Sequence, residues 1–265
     1  MEALRACAQV QKLNVLCRDG AQVEALCVNP RHVTDEAMLN DILDDYCQLT
    51  RLLFTSEQDI RSEHRAHAFC TDLLLLIHAN MFQTAPVQEP IVAAVTFKQI
   101  TTKTSSVLYI NAALIHPILQ GKGVLQGILK AVVKEQSQLF PVVSAYAGGR
   151  TQNVCFAKAM RRIFGSVYPL DLDNLSEKEQ AVILQQGQDV AQQLGMTIYN
   201  RSSEHSNPPP TSYYDTQTML CRKVYLGMQL MKDVPRIPDS QFNSLIDMDD
   251  GDALLLLCPL AQAST

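Results

Sequence analysis

At 265 residues, with 47% hydrophobic and 18% charged side chains, the chain has ample material for a buried core and is too apolar to be disordered over most of its length. A formal net charge of −5 and a pI near 5.7 supply no field that would draw in a nucleic acid or an anionic membrane surface, so neither is expected as a partner.

In chain order, the N-terminal stretch MEALRACAQVQKL carries an early acid, an arginine and interleaved glutamines. It therefore has neither the apolar block of a signal peptide nor a transit-peptide pattern. Apolar runs such as Leu73 to Ile77 and Leu254 to Cys258 are too short to span a bilayer. A soluble, cytoplasmic protein is expected. The eight cysteines stand singly in apolar contexts with no Cys-x-x-Cys pair, which reads as reduced, mostly buried thiols rather than a disulfide framework.

Residues 23–28 (VEALCV) are expected to form a short strand. Met38, Ile42, Leu43, Tyr46, Leu49, Leu52 and Leu53 then recur at helical spacing behind Thr34-Asp35 as a cap. A second, solvated helix is expected from Thr55 or Ser56. The continuous run DLLLLIHA suits a strand buried on both faces. IVAAVTFKQI and SSVLYINAALI read as two strands joined in a hairpin by TTKT. After the glycine-containing stretch QGKGV, Val124, Ile128, Leu129, Val132 and Val133 make one face of a helix. FPVVSAYAGG is a strand ending in two glycines, NVCFAKAMRRIFG a helix stopped by Gly165, and SEKEQAVILQQGQDVAQQLG a capped helix stopped by Gly195. NRSSEHSNPPPTSYYDTQ has loop composition. MLCRKVYLGMQL and DALLLLCPL supply two late strands.

The informative segment is residues 110–136. Two glycines stand where a strand becomes a helix, and the first turn of a helix leaves backbone N–H groups without partners beside a partial positive charge. With Gly121 and Gly123 providing clearance, such amides can hold an anion, a pyrophosphate above all. Plain turn chemistry gives the same pattern. The dinucleotide fingerprint would need glycine where Gln126 stands, with Gly127 one residue late, and the P-loop spacing is absent.

What the segment resembles is the acyl-coenzyme A loop of the GCN5-related N-acetyltransferase superfamily, which reads Gln/Arg-x-x-Gly-x-Gly/Ala after a proline. Here Pro117, Gln120, Gly123 and Leu125 occupy those places, and Leu125 departs from the pattern. The element order is similar too, as is Arg-Thr-Gln-Asn (150–153) after the fifth strand in a divergent branch of that superfamily. The resemblance covers chiefly residues 90–169. It implies a mixed α/β fold with a mostly antiparallel central sheet flanked by helices and one splayed strand pair. It implies one domain over 1–265, with the N-terminal helices, sheet and acyl-coenzyme A site in 1–169 and a helix, an exposed loop and closing strands in 170–265.

By that resemblance acetyl-coenzyme A is the cosubstrate, held by Gln120, Gly121, Lys122, Gly123, Val124 and Leu125, with Asn153 on the coenzyme or its channel. A backbone N–H near Leu114 or Ile115 is the implied donor to the thioester oxygen. The acceptor is a primary amine on a small molecule or a protein, and a homodimer is left open. The family's tyrosine acid is replaced by Met160, leaving Tyr146 and Tyr168 as substitutes, and the strand lacks the carboxylate base of many relatives, leaving His116. These departures support an alternative, a catalytically inactive module that binds a coenzyme A derivative or a protein partner.

Other groupings read more simply. His64, His67 and Cys70 share a helical face with nothing to complete a metal shell. DMDDGDALLLLC lacks the glycine position and final glutamate of a calcium loop and reads as an acidic turn. Arg150, Lys158, Arg161 and Arg162 form a basic cluster that is either solvated surface or, with a coenzyme bound, a contact to its adenosine phosphate. Cys155, at a helix start, is a candidate nucleophile only if its pKa is lowered, and otherwise an inert thiol.

Overall fold

A computed structural model describes residues 10–53, 65, 68–82, 90–199, 212–225, 240–247 and 249–260. The chain forms two compact units, one of Met1–Lys98, Ile110–Val143 and Leu230–Lys232, the other of Gln99–Tyr109, Ser144–Gln229 and Asp233–Thr265. The architecture is the expected mixed α/β one, with a mostly antiparallel sheet and helices against it.

In the first unit the strand order is β1 (Val10–Leu16), β2 (Gln22–Val28), β3 (Leu73–His78), β4 (Ile91–Thr101) and β5 (Ser106–Ile115), the last reaching this unit from Ile110 on. β1 was not among the expected strands. It pairs antiparallel with β2 from Val10 opposite Val28 to Leu16 opposite Gln22. Its alternation is partial, with Leu13 and Val15 buried while Lys12 and Asn14 face out. Helix α1 (Glu36–Leu53) begins where Asp35 Oδ1 accepts from the N–H groups of Ala37 and Met38, as the cap predicted. Leu39, Ile42, Tyr46 and Leu49 pack in one core with Leu26, Leu74, Leu76 and Leu114. Every residue of Leu73–Ile77 is buried, so β3 is covered on both faces as its unbroken apolar run required. The expected helix from 55 falls largely outside the described residues, as do His64 and His67.

In the second unit the order is β5, β6 (Tyr146–Thr151), β10 (Ala253–Pro259), β9 (Leu220–Arg222), β8 (Tyr213–Asp215) and β7 (Ile198–Tyr199). β10 runs antiparallel to both β6 and β9, and β9 to β8, whereas β7 and β8 pair in parallel. β6 starts later than expected and carries its two glycines inside the strand. A Cβ on Gly148 would come within 2.9 Å of the Leu256 carbonyl oxygen, so the position demands a bare backbone. The segment read as loop after Asn200 contains β8, whose Tyr214 is fully buried; its three prolines lie outside the described residues.

Helices α2 (Val124–Lys134) and α3 (Gln136–Leu139) belong to the first unit, and α4 (Val154–Phe164), α5 (Glu177–Gln193) and α6 (Ser240–Leu245) to the second. α5 opens with a full capping box between Ser176 and Glu179. It also receives the 102–105 turn of the β4–β5 hairpin. Gln186 Oε1 accepts from Thr102 Oγ1 at 2.7 Å and Ser105 Oγ at 3.1 Å, its amide donates to Thr104 Oγ1, and Asp189 accepts the Lys103 N–H at 3.3 Å. The acidic turn before β10 is tied down as well. Asp252, wholly buried, pairs with Arg222 and accepts the N–H of Lys223 at 3.1 Å and of Asp247 at 3.2 Å.

Candidate functional site

Three glycines shape the bend before α2 and its first turn, and two of them face the β1–β2 hairpin. Gly121 and Gly123 both hold left-handed backbone, at φ 78° and 75°, a conformation that costs other residues about 1–2 kcal/mol. Gly123 is the N-cap of α2 and has no side-chain cap bond. A Cβ there would stand 2.6 Å from Arg18 Cβ, whereas nothing lies within 4 Å of one built on Gly121. Arg18 N–H donates to the Lys122 carbonyl at 3.0 Å. One turn later a Cβ on Gly127 would strike the Leu16 carbonyl oxygen. Nothing crowds Gly121, while Gly123 and Gly127 let the β1–β2 hairpin approach the helix.

The amides themselves stay available. Among the described residues no acceptor takes the N–H of Gly121, Gly123, Val124, Leu125 or Gln126. The Gly123 carbonyl meanwhile starts the helix by accepting from Gly127 N–H at 2.9 Å. An unpaired first turn with no capping side chain is what a ligand oxygen needs. Val124 is buried and anchors the helix; Leu125 and Lys122 are half-buried, so the departure at Leu125 leaves its amide in place.

The residues just upstream lock the approach to this turn. His116 N–H donates to Val92 O at 2.9 Å, and by the two-residue alternation of a strand the N–H of Ile115 leaves the opposite edge of β5. Leu114, the other predicted donor position, puts its side chain in the α1 core. His116 Nδ1 accepts from Ile118 N–H at 3.2 Å and so caps the short turn Pro117–Leu119. That bond commits the Nδ1 lone pair of His116 to the turn. Gln120 Nε2 donates to the Ile115 carbonyl at 3.2 Å, closing the turn from its other end.

Tyr146, Asn153 and Tyr168 lie in the second unit. Burial first, and then Tyr168 nearby, hold the Tyr146 phenol above its ordinary pKa, so it is protonated at neutral pH. Tyr168 is buried and its backbone exchanges two hydrogen bonds with Leu257, at 2.8 and 3.0 Å. Asn153 Oδ1 accepts from Cys155 N–H at 2.8 Å, the N-cap of α4. Met160, at the family's tyrosine position, is wholly buried. The basic cluster separates: Arg161 pairs with Asp171 at 2.6 Å, and Arg150 turns to Tyr225. Sequence reasoning missed Arg18, although CRDG after a partly alternating run is a hairpin signal.

No family model matches the chain, and no curated protein matches it in sequence. Solved structures do. One is the NatC complex bound to Gag peptide and CoA, at 12% identity and TM-score 0.38 over 86% of this chain and 93% of that one. A second is an acetyl transferase from Salmonella typhimurium that modifies the N-terminal serine of a 50S ribosomal subunit protein. It is similar at 14% identity and TM-score 0.34, over 52% of this chain and 78% of that one. A third is N-acetylglutamate synthase from Neisseria gonorrhoeae, complexed with coenzyme A and N-acetyl-glutamate. Its likeness has 10% identity and TM-score 0.31, over 60% of this chain and 32% of that one. No helix among the described residues is long and apolar enough to cross a membrane.

Proposed function

We propose that the chain is an acyltransferase that takes an acetyl group from acetyl-coenzyme A and passes it to a primary amine of a small molecule or a protein. The observation that carries this reading is the set of amides without an acceptor among the described residues, those of Gly121 and of Gly123 to Gln126, at a helix start with no capping side chain; the Lys122 N–H between them is taken by the Leu119 carbonyl. Those amides would hold the diphosphate, and Ile115 N–H would polarise the acyl carbonyl. His116 would fix the turn rather than take the ammonium proton.

The test uses the space beside Gly121. Asn and Asp are both tolerated in left-handed backbone and nearly isosteric. Calorimetric titration of acetyl-coenzyme A is expected to show binding to wild type and to G121N, and about tenfold or weaker binding to G121D, whose carboxylate faces the diphosphate. Equal affinity for the two variants removes the loop from the reading.

A second reading is a module that binds coenzyme A without turnover. Buried Met160, the occupied lone pair of His116 and the lack of a carboxylate on β5 favour it. Release of free thiol across a panel of amines decides between the two: binding with no thiol released on any amine selects the module.

A further inference from the structure

Arg150 is a cation without a counter-charge among the described residues. It projects from β6 in the second unit into a half-buried setting of Tyr109, Met196, Cys221 and Tyr225. Its Nε–H donates to the Tyr225 hydroxyl at 3.3 Å, an Nη1 proton reaches Met196 Sδ at 3.9 Å, and the guanidinium carbon lies 5.1 Å from the Tyr225 ring centroid. No carboxylate among the described residues pairs with it. A guanidinium has five N–H donors in a fixed fork, and here two of them have partners among the described residues. The three donors that remain are on Nη1 and Nη2, a pair that can meet a carboxylate in two parallel bonds.

The surroundings do not neutralise this charge. Tyr109 and Cys221 are buried, and burial holds both above their ordinary pKa values, so they are neutral at physiological pH. A buried or half-buried arginine is ordinarily paired. Other arginines of the same unit show the contrast: Arg161 has Asp171, and Arg222 has Asp252.

We propose that Arg150 is the anchor of a binding site for a small carboxylic acid, with the carboxylate on the Nη1–Nη2 edge and its apolar chain against Met196 and Tyr225. The charge argues for a carboxylate over a phosphate. A single guanidinium balances one negative charge, and a phosphate dianion needs a second cation, whereas Arg222 is already committed to Asp252. The site stands on the geometry of the second unit alone and is independent of coenzyme A binding.

The test is an NMR titration of the whole 15N-labelled chain, reading the Arg150 side-chain Nε–H signal, assigned by its loss in R150K. Sodium propionate is the probe, with sodium chloride and uncharged methyl propionate as controls at matched ionic strength. The expected result is a saturating shift with propionate in the millimolar range, roughly what so small a ligand can reach, and none with either control. R150K, followed through the backbone amide signals that propionate shifts in wild type, should bind propionate about tenfold more weakly, the loss of one bidentate charge-assisted contact. Y225F, which keeps the ring but frees the Nε–H, should weaken it severalfold while the shift persists. A non-saturating response, or one shared with chloride, overturns the site, and the wild-type titration is enough to decide this if R150K does not fold. Tighter binding of inorganic phosphate or coenzyme A than of propionate at this signal overturns the carboxylate assignment.

Discussion

Arg18 and Gly123 touch so closely that a methyl group on the glycine would lie 2.6 Å from the arginine's Cβ. The contact is backed by the Arg18 N–H bond to the Lys122 carbonyl, so the β1–β2 hairpin and the bend before α2 are one construction. G121A and G123A separate its two demands. Each costs about 1–2 kcal/mol for the left-handed backbone, and only G123A adds the collision with Arg18. Urea unfolding should therefore rank G123A as clearly the more destabilised, and equal losses would contradict the packing.

Gly127 gives a test of sign. Inside a helix, replacing glycine with alanine normally stabilises by about 0.8–1.0 kcal/mol. Here the new methyl would meet the Leu16 carbonyl, so G127A should lower the urea midpoint rather than raise it.

His116 separates capping from catalysis. H116N can still accept from Ile118 N–H, whereas H116A cannot, a loss of about 0.5–2 kcal/mol at comparable caps. Acetyl-coenzyme A affinity should be near wild type in H116N and lower in H116A. Thiol release by H116N should persist, and its abolition with binding intact would restore His116 as the base.

Two buried cysteines predict how stability depends on alkali. Burial raises the thiols of Cys27 and Cys221 from 9.0 to about 12. Between those values the unfolded chain releases protons that the folded chain keeps, so the folded state loses ground as pH rises. Stability should be unaffected by these groups below about pH 9 and fall above it by up to about 1.4 kcal/mol per pH unit for each cysteine. Urea midpoints at successive pH values measure the slope, and C27A with C221A should lessen it, the buried Cys258 thiol keeping a part of it. Exposed Cys70 should react with a thiol reagent in the native state well before either.

Much of the fold follows from periodicity that one sequence displays. The unbroken run of β3, the helical stripe of α1 and the capped start of α5 each announce themselves because one local rule governs each. β1 did not, since only Leu13 and Val15 point inward and the outward Lys12 and Asn14 dilute the alternation. The purpose of Gly123 and Gly127 was hidden with it. A glycine's reason lies in what approaches it, and here that is a strand over a hundred residues earlier in the chain. The role of Asn153 as the cap of α4 was open to local reading, whereas the pairing of Arg161 with Asp171, which dissolves the basic cluster, depends on the turn that follows α4.

The 102–105 turn closes on Gln186 and Asp189, partners that lie 81 to 86 residues further along. At ordinary rates of synthesis those side chains are joined to the growing chain about 4–17 s after the turn has been made. Throughout that interval the turn has only its own bonds between Thr102 and Ser105 and those to water, and its tip takes its final form only once the ribosome has delivered α5.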